Sequence, residues 1–316
     1  MEPTLNGDEL SISFPQQLYY STTKPVHVSD VIKSLSGLNT LVKSTKPTLN
    51  TLLESDICNI ELFVKTIEEG SLLEETFIKL FFNSQAEYDA FLKKIHDKFG
   101  DKAMKTTGAI ILAVVGLFTL YGMYKAATAS ADNGTINNQS FNTINNYYLS
   151  SETWENAAKL TDMSPQDIKR VVEHTIRNRK GVAQGAIDVM SPTKDDENAE
   201  LFIGQNHKTE PPIIPREVVK ATPHGKIEFS SIEDVVDYND IDIQIRALDL
   251  DNPKKGWAGI IPNVIDYRVR IEVAKGINTN KLKINKTVRA DVSVELKKDS
   301  ATGELKATKI LLHKLR

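Results

Sequence analysis

The sequence predicts an α+β protein with an N-terminal β-α-β-β-α domain, one transmembrane-like helix, a helical middle and a C-terminal antiparallel small β-barrel. Three observations carry that expectation. Gly108–Tyr124 reads GAIILAVVGLFTLYGMY, a run of 17 residues with no charge, Asn, Gln or Pro. Apolar residues recur at helical spacing in some segments and alternate in others, the two periods that separate helices from half-buried strands. The net charge of −3 hides a split: residues 1–131 carry 12 basic and 15 acidic side chains, 132–240 carry 11 and 18, and 241–316 carry 16 and 9. The last segment is therefore basic by +7, attached to an acidic one at −7.

These features divide the chain into five parts: 1–104, an α/β domain; 105–129, the membrane-type helix; 130–150, an Asn-rich linker or hairpin; 151–225, a helical and acidic region; and 226–316, the basic β-domain. With 316 residues, 40% of them hydrophobic, the chain can bury more than one core, which excludes a disordered tail or a collagen-like fibre. Cys58 is the single cysteine, so neither an internal disulfide nor a cysteine zinc site can form.

The elements follow in order. Leu10, Ile12 and Phe14 alternate as a strand. Ser29 and Asp30 open a helix with Val31, Leu35, Leu38 and Val42 on one side, and Pro47 ends or kinks it. Strands at Ile57–Ile67 and Leu72–Phe82 meet at a Glu68–Ser71 turn, and Ser84 caps a helix carrying Tyr88, Phe91, Leu92 and Ile95.

The uncharged run comes next. At about 1.5 Å per residue, some 20 residues cross a hydrocarbon layer of about 30 Å. Ala109, Ala113, Gly116, Thr119, Gly122 and Ala126 recur every three or four residues, a small-residue stripe of the kind through which membrane helices self-associate. Lys93, Lys94, Lys98, Lys102 and Lys105 precede the helix, and Lys125 alone follows closely. The positive-inside rule then sets the N-terminus in the cytoplasm. The competing reading is a helix buried in a soluble or oligomeric core.

Thr-Ile-Asn-Asn occurs at 135–138 and again at 143–146, which suits a hairpin or a polar linker. Ser164 and Pro165 begin a helix, and Arg177, Arg179 and Lys180 suit a helix C-terminus before Gly181. Residues 191–225 read as loose. Strands then follow at Ile241–Leu248, Trp257–Ile261, Tyr267–Val273, Val288–Leu296 and Glu304–His313, the pattern of a small barrel or sandwich.

Lys255-Gly256-Trp257 opening that module and Leu311-Leu312-His313 closing it, with Gly70-Ser71 in the N-terminal half, resemble an uncharacterised bacterial family. Its members occur around prophages, mobile elements and proposed anti-phage loci, and combine a hydrophobic helix with a C-terminal small β-module. The resemblance implies a defence or mobile-element context, and no activity; the uncharged helix sets the expected location in a bacterial inner membrane.

Catalytic motifs are sparse. The six histidines show no metal-ligand spacing, and there is no phosphate loop, nucleophile elbow or dinucleotide fingerprint, so no catalytic residue, metal or cofactor is assigned. Ser293-Val294-Glu295-Leu296-Lys297, with Asp266 or Asp291, resembles the Glu-x-Lys strand of metal-dependent nucleases. A pair of solvated strand residues is the reading preferred for Glu295 and Lys297. Lys254, Lys255, Trp257, Arg268, Arg270, Lys281 and Lys283 form a candidate anion-binding set, with Tyr267 as a second aromatic. Asp266 and Glu272 are placed to neutralise the arginines, and docking on the acidic segment competes with an external ligand.

The functional expectation is a single-pass membrane protein that self-associates and acts by binding or perturbing the bilayer. Its partners are then lipid, further copies of itself, and a protein or nucleic acid for the basic domain. The alternative is a nucleic-acid-binding or nuclease protein whose apolar helix is buried in an oligomer core.

Overall fold

The computed structural model describes residues 10–68, 72–132, 134–196, 198–204, 206–207, 214–224, 227, 234–247, 256–262, 264–274, 277, 282, 287–298 and 305–316. The chain forms two compact units. The first comprises Met1–Ile176 with Lys180–Glu228, the second Arg177–Arg179 with Phe229–Arg316. The N-terminal segment, the apolar helix and the helical middle, expected as separate parts, thus share one unit.

In that unit β1 (Leu10–Tyr20) lies between β3 (Leu73–Phe82) and the short β4 (Leu201–Gly204), and β2 (Asn59–Glu68) flanks β3. All three pairings are antiparallel, with Phe14 opposite Ile78. Alternation sends Ile12, Phe14, Leu18, Ile78 and Leu80 into the core. With them pack α1 (Val28–Ser44), α2 (Lys46–Leu52) and α3 (Gln85–Phe99). Ser84 Oγ caps α3 by accepting from Glu87 N at 3.2 Å.

The apolar run lies in α4 (Ala103–Asp132), 30 residues long. By length and composition it could cross a membrane, yet 89% of its most apolar 18-residue window is buried within this chain. Its neighbours are α1, α2, α3, β1 and β4, together with α5 (Asn138–Leu149), α6 (Glu152–Thr161) and α7 (Pro165–Thr175). A helix surrounded on every side must be apolar on every side, in protein as in lipid. The small-residue stripe is spent inside the unit. Ala113, Gly116, Thr119, Gly122 and Ala126 are buried and Ala109 is half-buried. At Gly122 a Cβ would come within 2.5 Å of both Val182 O and Ala186 Cβ of α8 (Arg179–Val189), so the glycine admits that helix.

The Asn-rich segment is helical, neither hairpin nor linker. Asn137 Oδ1 caps α5 by accepting from Ser140 N at 2.8 Å. Ile144 and Tyr148, one turn apart, are buried. The first Thr-Ile-Asn-Asn copy, 135–138, leads into the helix, with Asn137 as the cap, and the second, 143–146, lies within it.

The second unit is a closed barrel of β5 (Asp234–Ala247), β6 (Ala258–Ile261), β7 (Ile265–Val273), β8 (Thr287–Lys298) and β9 (Leu305–Leu315). The order around it is β5-β6-β7-β9-β8. One pairing departs from the antiparallel expectation: β7 and β9 run parallel, with Ile271 beside Ile310. The cause is topological, because β8 pairs with β5 and β9 turns back to fill the gap beside β7. Ile243, Trp257, Ile261, Val269, Ile271, Val292, Ile310 and Leu312 fill the interior. Gly259 is required on β6, where a Cβ would meet Gln244 O at 2.5 Å.

Candidate nucleic-acid interface

The outer wall of β7 carries the clearest charge arrangement. Val269 and Ile271 point into the barrel, while Asp266, Arg268, Arg270 and Glu272 are exposed. Arg268 and Arg270 flank the inward Val269 and so share the outer face, although the register against β6 shifts between Val269 and Ile265. Arg270 stands opposite Ala258 on β6 and beside Lys309 on β9. On the far side of β6, Ala258 pairs with Ala247, next to Arg246 at a bulge of β5. Arg246, Arg270 and Lys309 therefore form a basic row across the wall, with the small Ala258 leaving it open between the first two.

Within the row it is Lys309 that acidic neighbours hold. Glu272 lies 3.5 Å from Lys309 Nζ, which also reaches Glu295 at 3.1 Å. Arg289 takes Asp240 at 3.0 Å and Asp242 at 3.8 Å. Arg316 takes Asp291 at 2.7 Å. Among the described residues no carboxylate lies within ion-pair distance of Arg268 or Arg270, so the expected neutralisation by Asp266 and Glu272 does not occur. Tyr267 remains 41% exposed, its hydroxyl donating to Ala307 O at 3.1 Å.

Trp257 takes no part. It is 1% exposed, inside the barrel, because its position before β6 turns the indole inward, and no ring face is left for a base. Lys254, Lys255, Lys281 and Lys283 lie outside the described residues.

The nuclease-like residues are differently placed. Glu295 is only 7% exposed and paired with Lys309, with Arg179 Nη2 at 4.0 Å. The expectation of a solvated glutamate is corrected; Lys297 is exposed, beyond a bulge that falls between Glu295 and Leu296. Asp291 accepts from Asp240 N and from Arg316, which together hold its carboxyl below the usual range. Among the described residues no group of three or more His, Cys, Asp or Glu could hold a metal ion.

One cluster escaped the sequence reading. Ser293 Oγ bonds both Asp237 and His313 Nε2, the latter at 2.6 Å, and Arg177 Nε donates to Asp237 at 2.6 Å. The hydroxyl gives its one proton to the carboxylate, so His313 must donate to it. A nucleophilic serine needs the opposite polarity, with histidine accepting. Ser293 is also fully buried, and the cluster is structural. Arg177, expected to complement a helix terminus, instead serves Asp237.

Two of the cavities in the first unit, of about 660 and 410 Å³, share Lys194 and His224 in their walls. Lys194 is held at 2.6 Å from the buried Asp30. Neither cavity has Phe, Tyr or Trp among its lining residues.

The strand order, first-second-third-fifth-fourth and back to first, with the third and fifth parallel, defines the class of barrel known as the OB-type. Such barrels bind oligonucleotides or oligosaccharides on their second and third strands and on the loops after the first and fourth. Here those strands are β6 and β7. No family model, no curated protein and no solved structure matches this chain.

Proposed function

We propose that the barrel binds single-stranded nucleic acid along β6 and β7. The carrying observation is the pair Arg268 and Arg270, exposed together on the third strand of an OB-ordered barrel, with no acidic partner among the described residues. Two such guanidiniums on a segment of net charge +7 favour a polyanion over a neutral glycan. Phosphate contact supplies the affinity. Under this reading α4 is the core helix of the first unit.

Fluorescence anisotropy with a single-stranded oligonucleotide tests it. Each phosphate contact adds about 0.7 to the slope of log K against log salt for single strands, so Arg268→Ala with Arg270→Ala lowers the slope by about 1.4. Binding that ignores salt, or an unchanged slope in the double variant, refutes the assignment.

A second reading rests on α4. Its uncharged run is as apolar as lipid requires, and 30 residues span about 45 Å of helix. Opening of the first unit would release a membrane helix with a small-residue stripe. The chain would then self-associate in a bilayer and act by binding or perturbing it, in keeping with anti-phage or mobile-element biology. Carbonate extraction of membranes separates the two readings. Full recovery in the soluble fraction without detergent removes the membrane reading, and carbonate-resistant sedimentation establishes it.

A further inference from the structure

The sheet of the first unit ends on β2, which pairs with β3 alone among the described residues. A free edge presents a row of unpaired N–H and C=O groups, and proteins blunt such edges with proline, with charge or by keeping them short. β2 has ten residues, NIELFVKTIE, and no proline. The large apolar side chains Val64 and Ile67 on it are 48% and 47% exposed, and α1, which packs against it, exposes Val28 and Ile32.

The strand is self-complementary about Phe63. Opposed residues of an antiparallel pair share a face. A second copy centred on Phe63 sets Glu61 against the partner's Lys65, Leu62 against the partner's Val64, and the two Phe63 rings together. Glu61 and Phe63 lie on the outer face, and the bulge after Val64 keeps Lys65 there too, its Nζ 3.1 Å from Glu75 on β3. Phe63 already stacks on Phe77 at 5.3 Å, with Lys79 Nζ at 4.8 Å over its ring, so pairing continues an aromatic row across the dyad. Other centres lose the match. Centring on Glu61 opposes two carboxylates, centring on Leu62 sets Glu61 against Phe63, and centring on Val64 sets it against Ile67.

We propose that this chain forms a two-fold dimer by antiparallel pairing of β2 edges about Phe63, making one continuous sheet from two four-stranded ones. The surface is distinct from the α4 stripe, which is buried, and from the basic row of the barrel.

Sedimentation equilibrium of the full chain without nucleic acid tests the dimer. Wild type sediments at twice the chain mass. Glu61→Lys or Lys65→Glu opposes like charges at two symmetric places and weakens association about tenfold. The Glu61→Lys, Lys65→Glu double variant restores it, an outcome that damage to the fold cannot produce. A second arm uses Phe63→Cys in a Cys58→Ser background. Copper–phenanthroline oxidises the two introduced thiols of a dimer to one disulfide, and a covalent dimer appears on non-reducing gels. A monomeric wild type at about 0.1 mM, a double variant as weak as the single ones, or absence of the linked dimer overturns the proposal.

Discussion

Glu74 shows how one side chain couples the core to pH. It is fully buried on β3, with Oε2 3.3 Å from Ser34 Oγ, while Oε1 has no partner. Ser34 Oγ lies 2.7 Å from Tyr20 Oη, which donates to Val189 O at 2.6 Å. Ser34 Oγ donates to Glu74 Oε2 and Tyr20 Oη donates to Val189 O, which leaves Oε1 unpartnered in the core. Burial accordingly raises the Glu74 carboxyl to about 7 from 4.5, against a smaller opposing effect of the Ser34 contact. The folded state then holds a proton that the unfolded state has lost between pH 4.5 and about 7, so stability is full below that window and falls as pH rises through it. The loss amounts to about 3 kcal/mol by pH 8. Glu74→Gln keeps the shape without the charge and is expected to flatten the profile, leaving the variant more stable than wild type at pH 8. Urea unfolding of both proteins at pH 5 and pH 8 measures this. An equal pH dependence in the two would show that Glu74 titrates normally in the fold.

Elements differ in how far the sequence reveals them, and the difference is physical. The barrel strands could be read because alternation records which residues face a core, and Arg268 and Arg270 followed from the same alternation. The barrel closes as expected, but the parallel β7–β9 pair could not be read, since alternation within a strand says nothing about its neighbour. Trp257 was misplaced for a related reason: a residue just before a strand has no fixed parity. For α4, the uncharged run establishes a helix in an apolar environment, but Ile, Leu and Val are equally at home against lipid and against other helices. The difference resides in the helices around it, and one of these, α5, was hidden by its asparagines. Its apolar residues Ile144 and Tyr148 are few, and they reach the core only because the Asn137 cap and the buried face of α4 support so polar a helix. Glu295 was misread because alternation marks it as outward, while Lys309 and Arg179 cover the outside of β8 there.

At the scale of the whole molecule, the two units have separate apolar cores. One runs from Ile12 through α4 to Ala221, the other from Ile243 to Leu312, and the two sets share no residue. A cooperative transition belongs to a core, so two cores of unequal size predict two calorimetric transitions with different sensitivities. Ile111 on α4 and Ile310 on β9 are both fully buried, and removing one methylene from either costs about 1 kcal/mol. The same loss moves the midpoint of a small domain by about 6 °C and that of one twice its size by about 3 °C, because the entropy of unfolding grows with length. Ile310→Val is therefore expected to lower only the transition of the barrel, by roughly twice the shift that Ile111→Val produces in the other. Differential scanning calorimetry of the three proteins decides it. One transition in wild type, or both transitions moving together in either variant, would mean that the units unfold as a single cooperative body despite their separate cores.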